Sequence, residues 1–92
     1  MSSILKRYKQ GTNERLDRDI DFGEWLAQHA DTIASHEIIA DAGITVYSSS
    51  VVGDVVKVML TGGSAGVAYK ITARVTTTGG RKKEASIVLR VR

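Results

Sequence analysis

The segment from Gly66 to Arg92, GVAYKITARVTTTGGRKKEASIVLRVR, alternates apolar and polar residues along two arms separated by a pair of glycines. In the first arm Val67, Tyr69, Ile71, Ala73 and Val75 share one face, while Lys70, Thr72, Arg74 and Thr76 share the other. In the second, Ala85, Ile87, Leu89 and Val91 oppose Glu84, Ser86, Arg90 and Arg92, with Val88 the one apolar residue on the polar side. Period two is the signature of a half-buried strand. Thr78-Gly79-Gly80-Arg81 is a turn signal, so the segment predicts one long β-hairpin. Both apolar sets carry odd numbers, and residues that face each other on one side of a hairpin must then have an even sum. A loop of Gly79, Gly80 and Arg81 satisfies that parity. It pairs Val75 with Ala85, Ala73 with Ile87, Ile71 with Leu89 and Tyr69 with Val91, with a glycine in the left-handed region near the turn.

Working towards the N-terminus, Val55 to Thr61 reads as a strand with Val56, Val58 and Leu60 inward and Val55, Lys57 and Met59 outward. That outer face is more apolar than water requires. Ile44 to Ser50 and Thr32 to Ala40 read as two further strands, bounded by turns at Gly53-Asp54 and Asp41-Ala42-Gly43. Trp25 to Ala30 fits a single helical turn, with Trp25 as a plug over the core. Arg15 to Phe22 places Leu16, Ile20 and Phe22 on one face and Asp17, Asp19 and Asp21 on the other. Arg18 interrupts the apolar face, which puts this strand near a rim where a long side chain can reach water. Met1 to Asn13 is polar, basic and without period, and is expected to be a flexible arm.

Six to seven short strands with glycine-rich turns predict an all-β, immunoglobulin-like antiparallel sandwich over residues 14–92. No connection is long enough for a helical crossover between parallel neighbours. Ninety-two residues suffice for one small domain, burying roughly two thirds of the surface of the unfolded chain. With no cysteine, neither a disulfide framework nor a thiolate metal site is available. There is no signal-peptide pattern and no membrane-length apolar run, so synthesis and assembly in a cytoplasm are expected.

The formal charge of +3 conceals a reversal of sign along the chain. Residues 14–41 hold eight acidic against two basic side chains, and residues 65–92 hold seven basic against one acidic. Oppositely charged halves attract each other, within one subunit or between neighbours.

Catalytic chemistry finds little support. His29 and His36 lie seven apart across a turn-to-strand boundary, which is no known metal spacing. Asp17, Asp19 and Asp21 project in parallel from one strand and do not wrap an ion, and the glycine and distal glutamate of a calcium loop are missing. The Gly62 to Gly66 turn lacks the lysine and helix of a phosphate loop. Ser48, Ser49 and Ser50 have no histidine placed to activate them. No enzyme activity, cofactor or metal is therefore expected. The expected working surfaces are the acidic strand face of Asp17, Asp19 and Asp21, the apolar Val55 and Met59, and the basic stripe of Lys70, Arg74, Arg90 and Arg92. In the predicted register Lys70 faces Arg90, an unfavourable like-charge pair for which the acidic face of a neighbouring copy is one available complement and a phosphate backbone the rival. Arg74→Glu with Arg90→Glu is then expected to abolish assembly.

The order of segments resembles the small fiber-tail adaptor proteins of tailed bacteriophages and prophages. The residues that carry the resemblance are Asp21-Phe22-Gly23-Glu24-Trp25-Leu26, Asp31 to Ser35, Ala42 to Val46, Ser48 to Ser50, Leu60 to Gly66 and Thr76 to Arg81, followed by an Arg-Val ending. A tryptophan and a valine-proline pair frequent in the family near residues 38–41 are replaced here by Ile38, Ile39, Ala40 and Asp41. The resemblance implies a non-enzymatic virion structural protein acting in tail assembly or fiber-tail attachment. It implies contacts with other phage tail proteins, a homo-oligomer in the particle, and residence first in the host cytoplasm and then in the virion tail. Two other classes stay open. An adhesion or glycan-binding module would use Tyr8, Trp25 or Tyr47, and a nucleic-acid-binding accessory would use the basic hairpin and arm but lacks an aromatic platform.

Overall fold

The computed structural model describes residues 3–92, with side chains described from Lys6 onward. Seven strands and one short helix follow in the order β1 (Ser3–Gln10), β2 (Arg15–Asp21), α1 (Gly23–His29), β3 (Ile33–Ala40), β4 (Ile44–Val52), β5 (Val55–Gly62), β6 (Ala68–Thr77) and β7 (Lys82–Val91). They form a four-stranded sheet of order β1-β7-β6-β3 and a three-stranded sheet of order β2-β5-β4. The β2-β5-β4 and β3-β6-β7 adjacencies are those of the two immunoglobulin sheets. The inter-sheet disulfide and strand-borne tryptophan of antibody domains have no counterpart, since the chain has no cysteine and Trp25 lies on α1.

Alternation decides what is buried. Ile71, Ala73 and Val75 from β6 and Ile87 and Leu89 from β7 are fully enclosed, and they meet Val56, Val58 and Leu60 of β5 and Ile20 of β2. Each such side chain contributes about 1.5–3 kcal/mol relative to exposure. Phe22 and Leu26 close one end of the stack, while Trp25 is only partly buried against the same core. The plug is therefore Leu26 with Phe22, and Trp25 is its outer cover.

The hairpin keeps the predicted parity but shifts its register by two. Tyr69 faces Leu89, Ile71 faces Ile87, Ala73 faces Ala85 and Val75 faces Lys83. The loop is Thr78, Gly79 and Gly80, closed by the Thr77 N–H donating to the Arg81 carbonyl at 2.8 Å. Gly80 has φ +86°. A three-residue hairpin loop puts its left-handed residue third. The expected loop would have forced Arg81 into that conformation, whereas the observed one assigns it to a glycine. Lys70 accordingly faces Val88 rather than Arg90, and Arg74 faces Glu84. Val67, expected on the buried face, lies in the preceding turn and is exposed.

The N-terminal segment departs most from expectation. Ser3–Gln10 is not an arm outside the sheet but an edge strand, running parallel to β7 with Tyr8 opposite Leu89 and Gln10 opposite Val91. The excluded helical crossover is not needed, because the rest of the sandwich is the connection between these two strands. Gln10 is fully buried, and its amide donates to the Glu14 carbonyl at 3.0 Å and to the Leu60 carbonyl at 2.8 Å. One side chain thus joins the two sheets while satisfying its own polar group. The strand of Arg18 lies at a rim as expected, but its side chain does not run out to water; it stacks 4.7 Å from the Tyr8 ring and donates to the Lys9 carbonyl and Gln10 Oε1.

Candidate protein-binding faces

The two outer sheet faces follow from the registers. On the three-stranded sheet Asp17 lies beside Met59, Asp19 beside Lys57 and Asp21 beside Val55. On the other flank of β5 stand Ser48, Ser50 and Val52. A β-bulge between Val46 and Ser48 pushes Tyr47 outward, where the Arg15 guanidinium covers its ring at 4.1 Å. Asp17, Asp19 and Asp21 are exposed, and Val55 and Met59 are half-buried. The Lys57 ammonium donates to Asp19 at 2.9 Å, and that bond, with the charges of Asp19 and Asp17, raises the Lys57 pKa. The sequence reading named Asp17, Asp19 and Asp21 and, separately, Val55 and Met59, and the fold brings the two sets onto one face.

On the four-stranded sheet the expected basic stripe divides. Arg74 donates to Glu84 at 2.5 Å and to Glu37 at 3.2 Å, and the Glu84 bond is the main cause of its raised pKa. Arg92 donates to Glu14 at 3.0 Å. The Glu14 carboxyl lies below its ordinary value, first through the Gly11 N–H and then through Arg92. Arg74 and Arg92 are thus members of the subunit's own ion pairs. Lys70 and Arg90 have no such partner among the described residues. They are joined by two residues the sequence reading left in an arm. Val88 lies between Lys70 and Arg7, and Arg90 lies between Ala68 and Lys9. Arg7, Tyr8, Lys9, Ala68, Val88 and Arg90 line a shallow groove of about 180 Å³. The alternation of Arg7 and Lys9 with Tyr8 and Gln10 was the available signal, but Lys6 obscures it.

The segments that carry the family resemblance meet at the turns. At the hairpin tip the Asp31 carboxylate accepts from the Thr32 N–H at 2.9 Å, the Gly79 N–H at 3.1 Å and the Arg81 guanidinium at 3.0 Å. The Thr77 side chain is the largest influence on its acidity, ahead of Thr32, Gly79 and Arg81, and together they outweigh burial and lower its pKa to about 2. Thr32 and Thr78 share a hydroxyl bond of 2.7 Å, and the Thr78 N–H donates to the Thr32 carbonyl. A Cβ on Gly79 would lie 2.9 Å from Asp31 Oδ2. At the far end of the hairpin Tyr69 fills a slot between Gly43 and Gly63, and its hydroxyl accepts from the Ser64 N–H at 2.8 Å. These segments build turns.

The family model for the podophage GP4 fiber-tail adaptor protein gp77 matches residues 10–90. The chain belongs to this family. The matched span contains β2 to β6 whole and β7 up to Arg90, and begins at Gln10, the last residue of β1. No curated protein matches the chain. Among the described residues no three His, Cys, Asp or Glu side chains converge as metal ligands would, and no helix is long and apolar enough to cross a membrane. His36 bonds Ser49 at 3.0 Å, tying the β3 edge to the β4 edge. His29 packs edge-on against Trp25 with ring centroids 5.5 Å apart. This gp77-family sandwich therefore presents two charged sheet faces as its distinctive surfaces.

Proposed function

We propose that this chain is a non-enzymatic structural joint of a phage or prophage tail, holding fiber and tail parts together through protein contacts. It assembles in the host cytoplasm and is carried into the virion. The observation that carries the reading is the family match across residues 10–90. The geometry supports it. The turns are closed by hydrogen bonds and close packing, the histidines serve as packing and hydrogen-bonding groups, and the outer faces mix free charge with half-buried apolar side chains, the composition of a protein-binding patch.

Peptide mass spectrometry on gradient-purified particles, referenced to the major tail protein, tests it. Several copies per particle are expected, together with particles that lose their fibers in electron micrographs when the reading frame is deleted. Intact particles without the protein would overturn the reading.

A further inference from the structure

The ion pairs of the subunit leave an uneven remainder. Glu14, Asp19, Asp31, Glu37 and Glu84 are consumed by Arg92, Lys57, Arg81 and Arg74. The sign reversal along the chain is thus settled only in part inside one subunit. What remains on the sheet faces is segregated with two exceptions, Arg15, which lies over Tyr47 on the face of Asp17, and Asp41, whose carboxylate accepts from the Lys70 N–H at 2.9 Å at the edge of the basic face. Two adjacent rows of the four-stranded sheet, Lys70-Val88-Arg7 and Ala68-Arg90-Lys9, hold four cations around two small apolar residues. The opposite outer face of the sandwich holds Asp17 and Asp21 beside Met59 and Val55.

We propose that the Arg7, Lys9, Lys70 and Arg90 face of one copy docks on the Asp17, Asp21, Val55 and Met59 face of a second copy. This deepens the adaptor reading by naming a partner, and rests on that reading only for its setting in a tail. Three features favour a second copy. The acidic complement is present on the same chain. Same-face neighbours along a strand are about 6.8 Å apart on both surfaces, so both faces place their charges on the same sheet lattice, with the free Asp17 and Asp21 two repeats apart. Each charged set is also interleaved with aliphatic groups, Val88 and Ala68 against Met59 and Val55, which a phosphate backbone would leave unsatisfied. Tyr8, the aromatic side chain in the groove, has its ring covered by Arg18 and offers bases no free stacking platform.

The two faces point in opposite directions from the sandwich, so one contact cannot satisfy both on a two-fold axis. The contact is heterologous. It leaves one free face at each end and propagates until a ring closes or another protein caps it.

Sedimentation velocity on the purified chain across a concentration series tests this with two capped variants. R7E/R90E closes the basic face. D17K/D21N closes the acidic face while keeping an acceptor for the Gly23 N–H, which bonds Asp21 at 2.7 Å. Wild type is expected to self-associate and to weaken as salt rises. Each folded variant alone is expected to associate about tenfold or more weakly. Their equimolar mixture is expected to regain association but stop at the heterodimer, because only one compatible pair of faces survives. A monomeric wild type at high concentration, or variants that associate like wild type, would overturn the proposal. So would a basic face that binds duplex DNA with steep salt dependence in a chain that does not self-associate. A monomer found in purified particles sinks this contact alone, while self-association without presence in particles sinks the adaptor reading alone.

Discussion

The two ends of the β6–β7 hairpin are held by different physics. At the tip, Asp31 gathers Thr32, Gly79 and Arg81 into one hydrogen-bonded latch. At the base, Tyr69 is gripped by Gly43 and Gly63, and the cations nearby, Lys70 and Arg90, are left without ion-pair partners among the described residues. Asp31 and Arg81, paired with each other, have little left to offer a neighbour, although Lys82 and Lys83 beside them join no ion pair among the described residues. An end locked by shape keeps its charges available. The comparison separates residues that build the turn from residues that can bind, and it assigns most of the family-like segments to building.

The largest effect is expected at the base. Gly63 has φ +87°, and a Cβ there would lie 2.7 Å from Val91 Cγ2 and 3.0 Å from the Tyr69 ring. Gly63→Ala combines left-handed strain with overpacking, for an expected loss of about 2–4 kcal/mol. Urea unfolding measures it, and the loss should not change between low and high salt. A strongly salt-dependent loss would mean that this end is held by charge after all.

At the tip the corresponding break is Asp31→Asn, read by pH. The Asp31 carboxyl is lowered from 3.8 to about 2. A depressed carboxylate adds stability that is complete above its unfolded value and is lost as pH falls through the folded one. Wild type should therefore lose stability between about pH 4 and pH 2, with Glu14 adding in the same direction. Asp31→Asn should be less stable at neutral pH and lose less across that interval. Parallel acid limbs in the two proteins would show that the latch does not depend on charge. A smaller effect is expected from Tyr69→Phe, which removes the acceptor for the Ser64 N–H and should cost about 1 kcal/mol.

How much of this was legible in the sequence follows from how local each determinant is. Alternation from Val56 to Leu60 and from Tyr69 to Leu89 named the buried face directly, because side-chain parity is a property of the strand itself. Register was less accessible. Parity allowed several values, and the choice depended on which loop residue must be left-handed, a demand that only Gly80 meets without strain. The β1 strand was missed because its partner lies some eighty residues away, and a parallel edge pair leaves no turn to mark it. The proposed binding face was half legible for the same reason. Lys70 and Arg90 could be read from the hairpin, but Arg7 and Lys9 join them only through β7, and the partners of Arg74 and Arg92 are fixed by the fold.

The smallest expected effect on stability is the sharpest test of the comparison. Lys70 and Arg90 are exposed, lie diagonally across β6 and β7 and join no ion pair among the described residues. Replacing both with serine removes a like-charge contact worth a few tenths of a kcal/mol and little packing. Stability should stay within about 0.5 kcal/mol of wild type, measured by the same urea titration. Arg74→Ser, on the same face, strips Glu84 and Glu37 of their shared cation and should cost more than the double change. If instead the Lys70 and Arg90 pair destabilises as much as Arg74 does, those cations serve the fold. If it leaves the fold untouched while self-association falls, the base of the hairpin carries charge for a partner that the subunit itself does not supply.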